Sequence, residues 1–530
     1  MAQFASWLTM LGTAAGTMLA SRSLVHYFQL ESYQFPGYYK TVKRNVKRAV
    51  TPGIMMAVVA VIALLIGNAA QDNFFGLLLG LLGMAVALGG GFLIGRVTAV
   101  KNAKKKLVFT TRIKRLYVIG AIVFAVLCFL LGSVWTYLAV LVALVLPASL
   151  ALAGLIAWPV EKLISEMYFR DAQSRLKERP DLIKIGITGS YGKTSVKFIL
   201  GTMLSEKYQT LVTPSSFNTP MGVTRIIREK LLPTHQVFVA EMGARHVGDI
   251  KELCRLVHPT YGVLTSVGPQ HLDTFKSIDR IKKTKYELMD AIPALDGWCF
   301  FPDDGAICRE LYDKTRKGKS LCCLNENGEA TVWAKDIRVS ALGSTFTLCT
   351  ENVGIECQTK LLGEHNIQNI LLAASVCLKL GLSLRQIKQG IAKIAPVEHR
   401  LQLLPQRGGM TVIDDAFNSN PRGAEAALKV LSAFENRRII ITPGMVELGE
   451  GEAEFNRAFG EKMASAVDVA ILVGKKHTRP IAEGLLSQGF PEENLHVTAS
   501  LAEAAALLRQ LGQSGDVVLF ENDLPDHYSE

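Results

Sequence analysis

Four stretches of about twenty apolar residues, 51–70, 74–95, 116–135 and 137–158, dominate the first third of the chain. Each is long enough to cross the hydrocarbon core of a bilayer as a helix. Helices of a soluble domain would carry polar faces with a 3.6-residue period, and these runs show none. Residues 4–20 form a shorter apolar run containing Thr9, Thr13 and Thr17, which reads either as a fifth span or as a helix lying in the interface.

Beyond residue 160 the pattern changes. Residues 161–180 are polar and predict a linker helix; short β-rich runs then recur at 183–188, 236–241, 261–267 and 298–302, separated by helix-like segments. That alternation predicts a mostly parallel sheet with helices on both faces. Between 330 and 362 the runs TVWAKDIRV, STFTLCT and GIECQTKLL alternate with period two, which predicts a small antiparallel patch. A second α/β pattern opens at Met410 with MTVIDDAF and continues through RRIIITPG, VDVAILVG and DVVLF. The expected fold class is multidomain: an α-helical transmembrane region (1–160), the linker, an α/β P-loop-type ATP-binding domain (181–395) and a smaller Rossmann-like α/β domain (396–530).

Charge sharpens the membrane reading. The first 180 residues carry 19 Lys and Arg against 6 Asp and Glu, so of the total of +11 the remainder of the chain holds about −2. The basic residues lie between apolar runs, which points to a membrane surface and not to nucleic acid. Lys40, Lys43, Arg44, Lys47 and Arg48 precede the first strong run, and Lys101, Lys104, Lys105, Lys106, Arg112, Lys114 and Arg115 separate the second from the third. The positive-inside rule places these loops, and everything after Pro159, on the cytoplasmic side of a multi-pass protein of the plasma membrane. Tyr27, Phe28, Tyr33, Phe35, Tyr38 and Tyr39 read as an interfacial aromatic belt or as part of a substrate-binding surface. No basic region precedes the first apolar run, so a signal peptide is not expected. The nine scattered cysteines contain no C-x-x-C, which argues against a zinc ribbon or a disulfide framework and fits a reduced compartment.

The stretch 186–195, GITGSYGKTS, carries the candidate chemistry. A β-rich run, a glycine-rich turn and GKT opening a helix make a phosphate cradle, in which backbone N–H groups and a helix N-terminus face the anion. Lys193 would neutralise phosphate oxygens and Thr194 would hold Mg²⁺, within a loop that includes Thr188, Gly189, Gly192 and Ser195. The spacing departs from the strict P-loop, since Ile187 stands where that pattern has glycine. Glu241 ends a β-rich run, where it is either a Mg²⁺ ligand beside the phosphate loop or a solvated strand-end acid. His271 and Asp273 end the next run, and a lone histidine there is more often structural.

Taken together, the motifs resemble the Mur ligase superfamily, nearest its D-alanyl-D-alanine-adding branch. TGSYGKTS, FVAEMGARHVGDI, GPQHLDTF with IKKTKYEL, GEHNIQNILLAA, EHRL and DDAFNSNP follow one another in the family's order. The resemblance implies an ATP-dependent amide ligase that converts a carboxylate to an acyl phosphate, which an amine then attacks. It also implies two Mg²⁺ ions, with Thr194 on one and Glu241 and His271 on the other, and a carbamylated Lys285 as an additional ligand. Without the resemblance, Lys285 in KKTK would read as a surface lysine. Asn366 and Asn369 would lie on the adenine side, although Asn366 could equally cap its helix. Arg400 and Asp415 would close over the nucleotide, with Asp415 on the ribose; His399 and Asp414 read as neighbours.

Departures from the family fall on substrate recognition. Membrane runs occupy the place of the family's N-terminal UDP-sugar-binding domain, Gly444 in ITPGMVELG stands where Asp is frequent, and FENDLPDHY replaces a basic KGS-like segment. The expected function is a membrane-anchored ligase that adds an amino acid or dipeptide to a cell-wall precursor, lipid-linked or small, at the cytoplasmic face. The alternatives are a folate- or cyanophycin-type ligase, or a nucleotide-dependent module serving the membrane region. Against the last, the apolar runs carry no central charge that would mark a transport path.

Overall fold

The computed structural model describes residues 2–69, 74–100, 106–214, 217–340, 343–407, 409–417 and 419–523. Ala70, the connection 71–73, Lys101, Lys104, Lys105, Asn418 of the DDAFNSNP motif and residues 524–528 of FENDLPDHY lie outside the described residues. The chain divides into two compact units, Met1–Met167 and Tyr168–Glu530.

The first unit is helical: α1 (Ala2–Ala20), α2 (Arg22–Leu30), α3 (Phe35–Arg44), α4 (Val46–Asn68), α5 (Phe74–Val97), α6 (Thr111–Val134), α7 (Leu141–Leu144) and α8 (Leu146–Lys177), the last of which ends this unit and opens the next. Among the described residues, α4, α5, α6 and α8 are long and apolar enough to cross a membrane. The fourth apolar run is not one helix from 137 to 158. A 3₁₀ turn (Thr136–Val140) and α7 precede α8, whose 32 residues take in 161–177 of the stretch expected to be a separate linker helix. Pro147 explains the restart, because proline is tolerated in the first turn of a helix and not in its interior.

Helix α1 packs against α4, α5 and α6, with Ala5, Thr9, Thr13, Ala14, Thr17 and Met18 buried. It is therefore a central element of this bundle and not a peripheral helix. Small residues allow the approach: a Cβ on Gly91 of α5 would lie 2.1 Å from the Gly16 carbonyl oxygen, and one on Gly16 would lie 2.2 Å from that of Ala87. Such contacts supply helix association where lipid removes the hydrophobic driving force. On the opposite faces Ile54, Val58, Leu65, Leu82, Leu93, Val118, Ile122 and Leu130 are exposed. At the basic end, Arg115 makes a paired contact with Glu161 at 2.6 and 2.8 Å, and the Arg112 guanidinium lies 3.9 Å from the Tyr33 ring centroid. Phe28 stacks on Tyr38 at 4.0 Å.

The second unit contains two sheets. The first comprises β1 (Ile183–Thr188), β2 (Thr210–Val212), β3 (Val237–Glu241), β4 (Tyr261–Leu264), β5 (Trp298–Pro302), β6 (Gly318–Cys323), β7 (Val332–Ser340), β8 (Gly343–Cys349) and β9 (Gly354–Thr359), in the order β2-β3-β1-β4-β5-β6-β7-β8-β9. Pairing is parallel through β7 and antiparallel for β7-β8-β9, so the alternating segment extends the main sheet as its edge. Helices α9 (Lys193–Leu204), α10 (Pro220–Lys230), α11 (Asp249–Val257), α12 (Leu272–Phe275), α13 (Ile278–Ala291), α14 (Ile307–Lys314), α15 (Glu364–Lys379) and α16 (Leu384–Lys393) accompany it. Strand β3 shows how the sequence builds two covered faces. Val237 and Val239 join the core beneath α9 and α15, and the alternate Phe238 and Ala240 join the core with α10, α11 and α13. A strand buried on both sides reads as a continuous apolar run, which is why VFVA lacks polar alternation.

The second sheet comprises β10 (Gln402–Arg407), β11 (Met410–Asp415), β12 (Arg438–Thr442), β13 (Val469–Val473), β14 (Leu495–Thr498) and β15 (Val517–Glu521), in the order β10-β11-β15-β12-β13-β14, parallel except for β10. Strands β2, β6, β10 and β14 were not marked by apolar runs: each is short, an edge, or mixed in composition.

Gly91→Leu should lower the thermal midpoint of the detergent-solubilised protein, at a cost of about 1–3 kcal/mol or more from overpacking. Gly89→Ala, where a Cβ meets nothing within 4 Å, should leave the midpoint unchanged or raise it.

Candidate active site

The phosphate-loop candidate is braced before any ligand is considered. Strand β1 ends at Thr188, whose hydroxyl donates to the Met242 carbonyl at 3.1 Å. The turn that follows needs Gly189 and Gly192, at φ 154° and 78°. A Cβ on Gly189 would lie 2.1 Å from Thr265 Oγ1. The segment after β4 pins the turn: Ser190 N donates to the Ser266 carbonyl at 2.8 Å, Tyr191 N to Ser266 Oγ at 2.7 Å, and Ser190 Oγ to the Gly268 carbonyl at 3.0 Å. Tyr191 Oη donates to the Pro269 carbonyl at 2.7 Å. Helix α9 starts at Lys193, so Thr194 and Ser195 occupy its first turn, where free N–H groups favour an anion.

Lys193 folds back over the turn, Nζ donating to the carbonyls of Gly189 at 2.6 Å and Ser190 at 2.9 Å. Burial lowers its pKa to about 8, Glu241 working against that shift and Arg400 with it.

Glu241, at the carboxyl end of β3, is 1 % exposed and is not a solvated acid. Its carboxylate accepts from Thr194 Oγ1 at 3.1 and 3.2 Å, from Lys197 Nζ at 2.9 Å and from Asn218 Nδ2 at 3.0 Å. Burial alone would raise its pKa, but Lys197 and Lys193 hold the carboxyl below its ordinary value. Lys285, on α13, is 2 % exposed and not a surface lysine. Burial first, and Lys193 second, push its amine well below the ordinary lysine value, against the opposing pull of Asp249, Glu287 and Glu241.

His271 precedes α12 in a left-handed conformation (φ 54°), its Nδ1 2.7 Å from Glu447 Oε2. Burial holds its pKa below the usual imidazole value, with Glu447 opposing. Among the described residues no group of three or more His, Cys, Asp or Glu is arranged to hold a metal by itself.

On α15 the two asparagines form a pair, Asn369 Nδ2 donating to Asn366 Oδ1 at 3.3 Å. Asn366 Nδ2 donates to the Leu362 carbonyl at 2.8 Å, so this side chain is engaged at the helix start. Asn369 reaches the phosphate loop, its Oδ1 3.0 Å from the place a Cβ on Gly192 would take. Arg400 Nη1 donates to the Phe417 carbonyl at 3.3 Å and its guanidinium lies 4.3 Å from that ring. Asp415 accepts from Leu401 N at 3.1 Å; burial, then Glu521, push its pKa up to about 8 against the pull of Arg400. His399 and Asp414 are bonded to each other, Nδ1 to Oδ2 at 2.7 Å.

Lys197, Asn218, Glu447 and Glu521 complete this arrangement without having been assigned roles from sequence. For Lys197 a signal existed, since it follows Lys193 by four residues and shares its helix face. Asn218 and Glu447 reach the site from loops, for which no periodicity exists.

With this geometry in place, comparison with known proteins is informative. Residues 187–377 match the Mur ligase middle domain, and residues 399–521 match the Mur ligase glutamate ligase domain. The UDP-N-acetylmuramoyl-tripeptide–D-alanyl-D-alanine ligase of Mycobacterium tuberculosis H37Rv is 31% identical over 357 residues, spanning 63% of this chain and 69% of the relative. The chain belongs to the Mur ligase family. It is an ATP-dependent, ADP-forming acid–amino-acid ligase. The enzyme of the same name from Escherichia coli K12 is 29% identical over 59% of this chain and 69% of its own. Among solved structures, MurF from Acinetobacter baumannii superposes with a TM-score of 0.63 at 26% identity, covering 69% of this chain and 78% of that one. MurF from Thermotoga maritima in complex with ADP gives 0.61 at 22% identity over 68% and 80%, a likeness of fold. The helical unit precedes both matched domains, and its described residues form helices and a 3₁₀ turn with no strand.

Breaking the buried pair by Lys197→Met should lower the denaturation midpoint of the second unit, at a cost of about 3–5 kcal/mol, because it strands a buried carboxylate. The double change Lys197→Met with Glu241→Gln should recover part of that loss in a mutant cycle.

Proposed function

We propose that this chain is a membrane-embedded ligase that joins an amino acid or dipeptide to a cell-wall precursor at the cytoplasmic face. The carrying observation is the phosphate loop with Glu241 at its mouth, in a chain whose first unit contains four helices able to cross a membrane. The basic end of that unit, with Arg112, Arg115 and the aromatic residues around Tyr33, supports placing the ligase domains on the positive-inside side. The relatives' name specifies a UDP-linked muramoyl peptide, but in this chain helices able to cross a membrane directly precede the matched ligase domains. A precursor held at or in the membrane is therefore the favoured carboxylate substrate.

The chemistry divides among residues already described. An oxygen of the substrate carboxylate attacks the γ-phosphorus of ATP and ADP leaves. The amine then attacks the carbonyl carbon, and inorganic phosphate leaves with that oxygen. Lys193, released from the loop carbonyls, neutralises charge on the transferring phosphoryl group. The hard oxygen donors Thr194 Oγ1 and Glu241 would suit Mg²⁺, and because they lie 3.1 Å apart they would share one ion, whereas the resemblance implied separate ions. Bound there, Mg²⁺ supplies charge neutralisation to the phosphates. His271 and Lys285 are assigned to a second ion.

As an ammonium Lys285 would repel cations, but burial and the neighbouring Lys193 push its pKa down, which favours the neutral amine that reacts with CO₂. The resulting carbamate is a carboxylate at the end of a long side chain. Asn369 and Asn366 line the nucleotide's adenine side beside the Gly189–Ser195 turn, and Arg400 and Asp415 close over it, Asp415 on the ribose.

Protein reconstituted in nanodiscs with ATP and Mg²⁺ should release ADP only when precursor and amine are both present; substrate-independent turnover would refute the reading. Lys285→Ala should lose at least about 100-fold in rate. A small added carboxylate should partly restore it, and ¹³C-bicarbonate should label the unsubstituted protein in NMR. Full activity of the unrescued variant would defeat the carbamate. Because Lys193 is charged below about pH 8 and phosphate favours the charged form, ADP binding should take up a proton near that pH. ADP affinity, measured calorimetrically, should therefore fall as pH rises through 8.

A further inference from the structure

Glu447 joins two parts of the second unit. It lies after β12 in a segment fixed to the second sheet's core: Met445, Val446 and Leu448 are buried around it, Asn456 Oδ1 accepts from Met445 N at 2.8 Å, and Asn456 Nδ2 donates to the Met445 carbonyl at 2.9 Å. Its carboxylate contacts residues that follow the first sheet's strands, His271 Nδ1 at 2.7 Å and Arg245 Nη2 at 3.8 Å. The backbone beside it approaches the same place, since a Cβ on Gly449 would meet Leu272 Cβ at 3.5 Å and Asp273 N at 3.6 Å.

Both members of the His271–Glu447 pair have left-handed backbone, φ 54° and 64°. Neither residue is glycine, so each conformation costs energy that surrounding structure must supply, a pattern that concentrates at functional sites. The side chains are about nine-tenths buried, so the contact is not a solvent-screened surface pair. A carboxylate only accepts, so it takes the hydrogen of Nδ1–H and leaves the lone pair of the neutral imidazole on Nε2.

We propose that Glu447 is a positioning residue for metal binding: it fixes the tautomer and orientation of His271, so that Nε2 becomes a ligand when the β10–β15 domain is docked. This rests on the reading of His271 as a metal ligand. It adds that the ligand is completed by a residue of the other domain, which couples docking of the amine-receiving domain to assembly of the ion site. Partners of this kind typically set metal affinity by about 10–100-fold.

The test uses the full chain in detergent with ADP, with Mn²⁺ binding read by electron paramagnetic resonance and thermal midpoints read alongside. His271→Ala should remove or weaken one Mn²⁺ site; if it leaves Mn²⁺ binding unchanged, the ligand reading fails and the proposal with it. Provided His271→Ala has that effect, Glu447→Ala should weaken the same site about 10–100-fold. Glu447→Gln, which keeps the shape and a neutral acceptor oxygen, should lie between that variant and the unsubstituted protein. Unchanged Mn²⁺ affinity in both Glu447 variants would overturn the proposal while leaving the His271 reading intact, even with a lowered thermal midpoint. Should Glu447→Ala fail to fold, Glu447→Gln alone decides: a weakened site supports the proposal and an unchanged one overturns it.

Discussion

A carboxylate that leaves water must be compensated, and the site depends on how Glu241 is compensated. Lys197, one helical turn beyond Lys193, contributes an ammonium at 2.9 Å, and Thr194 and Asn218 supply neutral donors. Buried pairs of this kind contribute little net stability, since desolvation cancels much of the attraction. Their effect is directional. The carboxylate stays ionised and fixed beside the phosphate loop, and α9 is tied to the end of β3. Around it Lys197 and Lys285 are buried and Lys193 is half-buried, and it is chiefly removal from water that lowers the pKa of each lysine, with Lys193 adding to the effect on Lys285. A polyanion placed beside them would favour their charged forms, which is what the proposed nucleotide site would draw on.

The residues that were legible in the sequence are those whose neighbours in space are also neighbours in the chain. TGSYGKTS announced its own turn because Gly189 and Gly192 have backbone conformations that other residues rarely adopt. VFVAE announced a buried strand with an acid at its end. The apolar runs announced four long helices but misplaced the fourth, because hydropathy does not register the interruption before Pro147. The central place of α1 was also hidden: Thr9, Thr13 and Thr17 make it look amphipathic, whereas all three are buried in the bundle. Short strands such as β2 and β14 were illegible because they owe their existence to pairing with a neighbour. Glu447 and Asn218 were illegible as site residues for a related reason, since loops place them by tertiary contact alone.

The helical unit solves a different packing problem from the α/β unit. Its helices approach through small residues, Gly16 against Ala87 and Gly91 against Gly16, so attraction arises from close backbone contact. The sheets instead bury branched and aromatic side chains on both faces, where exclusion of water supplies the driving force. The high pI follows from the basic loops of the helical part, so it describes a surface suited to anionic headgroups and says little about the ligase domains.

The carboxyl end of the second sheet shows how one constraint separates two acids. Strand register makes Asp415 and Glu521 direct neighbours on β11 and β15. Glu521 is buried and Asp415 half-buried, and both pKa values are pushed up, to about 7 and about 8 respectively. Glu521 accepts from Thr442 Oγ1 at 2.5 Å and from Ser419 Oγ, while Asn522 donates to the Gly444 carbonyl, so these side chains lock three strand ends together. Asp415 instead faces Arg400, the cation that draws it back toward ionisation. The resemblance puts a basic segment near this place, where the described residues of this chain make a neutral or acidic hydrogen-bonded network. An incoming group with its own negative charge gains nothing from such a network, whereas a neutral or cationic one does.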